Sequence, residues 1–262
     1  MSLDRLKKAA DQFVEETAQD FTEAQAGAAQ LIPEGYAFAR LVEYIELGKH
    51  AGEYQGKPRP PALMFKLGFA LFPSGEDTEG YSYEDGSPKI IRTFDINLSL
   101  TEKSKAFKLF KKMNFKGIHK HFAQMIGEPF LLNVVHVDKA SGGGKAARID
   151  LEGFLPPIDV VTRKPHPIPK APDNVYKMFL WDRPTKEDWD SLFVEGKWDN
   201  GDSKNFIQEK ILEASDFEGS PLHQLLEGGN KKKVHKSVTE TTVPDIPQYD
   251  PYEDDIDDII PF

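Results

Sequence analysis

Five stretches of the chain alternate apolar and polar residues with the period of two that a half-buried strand requires. In FARLVEYIELGKH, 38 to 50, Leu41, Ile45 and Leu47 fall on one face and Arg40, Val42 and Tyr44 on the other. LMFKLGFALF, 63 to 72, places Leu63, Phe65, Leu67, Phe69 and Leu71 together, with Met64, Lys66 and Gly68 opposite. The polar loop AGEYQGKPRPP between them predicts consecutive antiparallel strands. After a long acidic loop, 73 to 89, IIRTFDINLSL alternates again and predicts Phe94, Ile96, Leu98 and Leu100 inward. PFLLNVVHVD, 129 to 138, and AARIDLEGF, 146 to 154, form a last pair joined by KASGGGK. Between the third and fourth stretches the period lengthens. Thr101 is a candidate N-cap for a helix from about 103 to 113, with Ala106, Phe107, Phe110 and Met113 on one face. Lys103, Lys105, Lys108, Lys111 and Lys112 cover much of the rest, and a second helical piece follows near 117 to 126.

Three strands, a helix and two strands is the order of an oligonucleotide-binding (OB) fold, a five-stranded Greek-key barrel. The expected class is therefore mainly β with helices, the barrel occupying 35–181. Residues 1–34 read as a helical lead-in with Leu6, Phe13, Val14 and Phe21 as apolar points. RKPHPIPKAPDN is a proline-rich connector, NVYKMFLWD one more strand, and TKEDWDSLFVEG and SKNFIQEKILEAS two helices of an extension, 182–226, packed on the barrel. From 227 to 262 the composition turns polar and predicts a disordered acidic tail.

Charge changes the picture. The net charge of −10 appears hostile to nucleic acid, but seven acids and no base lie between Pro244 and the end, leaving only −3 on the first 243 residues. From Lys103 to Trp181 fourteen Lys and Arg face six Asp and Glu, so a basic middle is hidden by an acidic end. There is no cysteine, which excludes disulfides and cysteine-ligated zinc. No apolar run approaches the about 20 residues that span a bilayer, and none resembles a signal peptide. The chain reads as a cytoplasmic protein with no membrane partner.

A barrel of this type binds single strands on the outer faces of its second and third strands and with two loops. The first loop here holds Tyr54, Lys57 and Arg59, and the second Lys139, Gly142, Gly143, Gly144 and Lys145. Sequence-tolerant binding also needs aromatic faces, because every base has a π-face. Candidates are Tyr44, Tyr54, Tyr81, Tyr83, Phe94, Phe154, Tyr176 and Trp181, accompanied by Arg40, Lys66, Arg92 and Arg148. Against these readings, SGGG also suits a plain hairpin turn, and most aromatics in a barrel are core. His119 and His121 lack a further ligand at a metal-binding spacing. Asp150, Glu152 and Lys164 resemble the acid-acid-lysine set of some nucleases, yet DLE also fits an alternating strand. No phosphate-binding GxxxxGK[ST] loop, dinucleotide fingerprint or GxSxG is present, and nothing asks for a cofactor.

The end of the chain, DDIDDIIPF, is similar to the acidic Ile-Pro-Phe tail of bacterial single-stranded DNA-binding proteins. The whole layout, LVEYIELGKH through LMFKLGFALF included, resembles phage single-stranded DNA-binding proteins. That resemblance implies a non-enzymatic protein that coats single-stranded DNA during replication, recombination or repair in the host cytoplasm. It also implies recruitment of a polymerase, helicase or nuclease through Asp254, Asp255, Asp257, Asp258, Ile260, Pro261 and Phe262. The alternatives are a recombination mediator or annealing protein with the same barrel, or a metal-dependent nuclease using Asp150 and Glu152. The chain is longer than the bacterial family, carries the lead-in and extension, and lacks a Gly/Gln-rich linker. The oligomeric state, a homodimer among the possibilities, stays open.

Overall fold

In the computed structural model the chain divides into two units, Met1–Leu31 and Ile32–Phe262. The structure describes residues 31–54, 57–75, 78–83, 85–139, 144–198 and 201–228, with Lys7 and Leu31 in the first unit and only the backbone of 53, 54 and 57. Gly142 and Gly143, the lead-in apart from Lys7 and residues 31–34, and the tail beyond Gly228 lie outside the described residues.

The second unit is mainly β. Its strands are β1 (Gly35–Tyr54), β2 (Lys57–Phe72), β3 (Ile90–Arg92), β4 (Ile96–Asn97), β5 (Pro129–Asp138), β6 (Lys145–Leu155) and β7 (Lys177–Phe179). They form one sheet in the order β3-β2-β1-β5-β6, with β4 also on β2 and β7 also on β1. All pairings are antiparallel except β1 with β7. Among the described residues no hydrogen-bonded pairing closes β3 onto β6.

β1 is too long to stay flat, and register shifts at Leu41/Glu43, Glu46/Gly48 and His50/Gly52 bend it. An extra residue in a period-two strand exchanges its faces. Ala37, Ala39 and Leu41 therefore enter the main core, but beyond the first shift Tyr44 does so instead, and Ile45 and Leu47 turn to the other side. The expectation that Leu41, Ile45 and Leu47 share a face is corrected here, and the cause is the bulge. In the main core these residues meet Phe65, Leu67, Phe69 and Leu71 of β2, with Phe130, Leu132 and Phe154 from β5 and β6. The opposite face of β1 is covered by a second core, in which Ile45 and Leu47 meet Phe179, Trp181, Trp189, Ile207, Ile211 and Leu222. Three of these stand on α2 (Lys186–Ser191) and α3 (Phe206–Leu212), and Leu222 on α4 (Pro221–Glu227). Gly48 makes that packing possible. Its φ is +79°, and a Cβ there would stand 2.5 Å from the Ala214 Cβ and 2.7 Å from the Trp181 ring.

The helix after the third strand, α1 (Lys105–Met113), starts later than Thr101 would allow. Ser104 is the cap, its hydroxyl accepting from the Phe107 N–H at 3.1 Å. Ala106, Leu109 and Met113 are buried, while Phe107 lies under the Lys111 ammonium. The second helical piece is a single 3-10 turn, Phe122–Met125, capped reciprocally by His121 and Gln124. No helix among the described residues is long and apolar enough to cross a membrane.

Candidate nucleic-acid interface

The third predicted strand breaks, and the break creates the most exposed aromatic near a cation cluster. Thr93 is buried, donating its N–H to the Leu67 carbonyl at 2.9 Å while its hydroxyl accepts from the Leu67 N–H at 3.0 Å. Phe94 and Asp95 both turn out before Ile96 returns to the core. Phe94 is consequently 57% exposed and Leu100 86%, correcting their inward placement; Ile96 and Leu98 do pack inward. The Arg148 guanidinium of β6 lies 4.8 Å from the Phe94 ring centroid, a cation–π contact that bridges the β3 and β6 ends of the sheet.

Arg92 ends β3, two residues before Phe94 in the chain. Its Nε and Nη2 donate to the Glu43 carboxylate at 2.6 and 2.7 Å, a bidentate pair. Glu43 reaches β3 because Gly68 stands between them: the register aligns Glu43 with Gly68 and Gly68 with Arg92. A Cβ on Gly68 would fall inside van der Waals contact of the Glu43 carboxylate. On the other side Glu43 aligns with Lys177 of β7. One rung thus runs Lys177, Glu43, Gly68, Arg92 across four strands. Burial opposes the charge on Arg92, but the Glu43 hydrogen bonds and charge more than offset it, and its pKa lies above the ordinary value. Burial also pushes Lys177 below the usual lysine range, with Glu43 opposing and Arg92 reinforcing that shift. Tyr83, 56% exposed, adds a small contribution to the upward shift of Arg92. Nearby, Lys66 pairs with Asp95 at 2.5 Å and donates to the Thr93 carbonyl at 3.3 Å. The surface so formed joins two exposed rings, Tyr83 and Phe94, to four cations, Lys66, Arg92, Arg148 and Lys177, against two carboxylates, Glu43 and Asp95.

The structure brings Lys66, Arg92 and Arg148 together and places other candidates elsewhere. Tyr44 is corrected outright: its ring is fully buried, packed on Phe65 and His121, and its hydroxyl donates to Glu46 at 2.9 Å. No base can stack on it. Arg40 donates to the backbone carbonyls of Gly127, Ile168 and Pro169, so its guanidinium fastens the proline-rich connector to the sheet rather than facing a phosphate. Arg59, Lys139 and Lys145 are exposed on the β1–β2 and β5–β6 hairpins, away from this rung in sequence register. The side chains of Tyr54 and Lys57 lie outside the described residues. Among the other aromatics, Tyr81, Phe154 and Trp181 are buried and Tyr176 is half-buried beside Val42 and Ala70. The two histidines have separate partners: His121 caps the 3-10 turn, and His119 Nε2 lies 3.8 Å from Glu128. Asp150 accepts from the Glu152 N–H at 2.9 Å, and the Glu152 carboxylate pairs with Lys112.

Glu43, Gly68 and Lys177 escaped the reading of the sequence as site residues. Lys177 did carry a signal, a lone cation within the apolar alternation of NVYKMFLWD. No protein-family model matches the chain, and no curated protein matches it.

Proposed function

We propose that this chain binds single-stranded DNA, with the outer face of β2 and β3 as its binding surface and an oligonucleotide-binding barrel as its fold. The observation that carries the reading is the exposed Phe94 ring under Arg148, two residues after the partly exposed Arg92 that ends β3. Exposed rings among cations are what sequence-tolerant binding of single strands requires. The barrel reading is supported by the sheet order, which is that of an open OB fold, and by the Phe94–Arg148 contact between its two ends. The strand-coating role in replication, recombination or repair follows from that chemistry together with the tail. The testing experiment is titration of fluorescent single- and double-stranded oligonucleotides at several salt concentrations. Preference for the single strand is expected, with log affinity falling against log salt by roughly 0.7 per phosphate neutralised, so a slope of about −2 to −4 for the cations named. A flat dependence, or a preference for the duplex, removes the reading.

The tail is the second part of the proposal. Its acids, Asp254, Asp255, Asp257 and Asp258, suit a basic rim on a replication protein, and Ile260, Pro261 and Phe262 suit an apolar pocket. Phe262→Ala keeps all seven acids, so DNA affinity is expected to stay unchanged while pull-down of a polymerase, helicase or nuclease is lost. Retention of every partner by that variant reduces the tail to a solvated acidic run.

A further inference from the structure

We infer that the rung Lys177–Glu43–Gly68–Arg92 is a phosphate seat, in which Lys177 supplies the free cation and Glu43 sets how strongly the seat attracts. The inference rests on the single-strand reading above and assigns one internucleotide phosphodiester to one place on that surface. Both oxygens of Glu43 are taken by the fork of Arg92. The Lys177 ammonium on the other flank has no hydrogen bond or ion pair among the described residues, although it is half-buried beside that same carboxylate. Two cations therefore flank one carboxylate that is itself 1% exposed and paired with Arg92, and the rung carries a net positive charge. Half-burial makes an unmatched ammonium costly, and an anion of two or more oxygens would relieve it. A phosphodiester does so from the solvent side without displacing Glu43. Arg92 ends β3 and Phe94 follows two residues later, a separation of at most about 7 Å. A phosphate held on the rung thus leaves an adjacent base within reach of the Phe94 ring. Lys177 belongs to β7, which lies outside the five-strand pattern, so the segment after the connector takes part in binding as well as in covering β1.

The two side chains predict effects of opposite sign, which a purely structural role for the rung does not. In the full chain, titrated with fluorescent oligothymidylate, Lys177→Met is expected to flatten the salt slope by about 0.7 and to weaken binding about fivefold near 0.1 M salt. Glu43→Gln keeps the shape of the side chain and removes the competing charge, so it is expected to tighten binding by a similar factor. Lys186→Met, on α2 and exposed, serves as the control for overall charge and is expected to leave the slope unchanged. Circular dichroism and thermal melts establish that each variant is folded; where Glu43→Gln does not fold, the Lys177 slope decides alone. An unchanged slope for Lys177→Met, an equal loss in Lys186→Met, or weaker binding by folded Glu43→Gln overturns the seat while leaving the single-strand reading in place. Failure of the intact chain to bind the oligonucleotide overturns both.

Discussion

Tyr44→Ala is expected to destabilise the protein by about 3–5 kcal/mol, the range for removing a large aromatic from a core. The ring is fully buried and in contact with Phe65 and His121, at centroid separations of 5.6 and 5.1 Å. Its hydroxyl also holds a buried acid. Glu46 is 8% exposed and accepts from Tyr44 at 2.9 Å and from the Trp181 backbone N–H at 2.7 Å, so the phenol and the segment after β7 share one carboxylate. Burial, then the charge and hydrogen bond of Glu46, raise the phenol pKa far above the usual tyrosine value, and the proton is kept for donation. Tyr44→Phe separates the two contributions. It preserves the packing and leaves Glu46 the Trp181 N–H, so a loss of about 1–3 kcal/mol is expected. Urea unfolding of the three proteins measures both. A Tyr44→Ala protein as stable as the intact chain, with weaker DNA binding, would return the ring to the surface.

The reason Tyr44 could not be placed from the sequence is local and physical. Period-two reading assumes that every residue advances the pleat by one step, and the bulge between Leu41 and Glu43 breaks that assumption for Tyr44, the first of three shifts along the strand. Leu41, before the bulge, enters the main core; after it Tyr44 of the opposite predicted face does so, and Ile45 and Leu47 pack with the helical extension. β2 has no comparable loss of phase between Phe65 and Leu71, and there the alternating apolar face appears in the structure as written. The third strand failed at a threonine. Thr93 competes for a backbone amide that a continuous ladder would have paired, and side-chain competition of this kind leaves no mark in hydrophobic periodicity. The charged half of the interface was easier to read, since Lys66, Arg92 and Arg148 are cations on strands of the sheet. Glu43 and Lys177 were not, because their alignment is a property of register between β1 and β7, 134 positions apart in the chain.

Phe94→Ala is expected to weaken binding of single-stranded DNA by about 1–3 kcal/mol, or roughly 5- to 150-fold, the range for losing one base–aromatic stack. At 57% exposure the ring contributes little to the fold, so the melting temperature should remain close to that of the intact protein. Arg148 sharpens the expectation. Its guanidinium lies over the ring in the unbound structure, so an incoming base must either take the open part of the ring or share it with the cation. Arg148→Met is expected to flatten the salt slope by about 0.7, the mark of one phosphate contact, whereas Phe94→Ala should lower affinity with the slope unchanged. The double variant should lose less than the sum of the two, because the residues touch and each orients the other. Additive losses would mean that Phe94 and Arg148 meet different nucleotides. Phe94→Ala with the affinity of the intact chain would remove this ring, and with it the observation on which the binding surface was proposed.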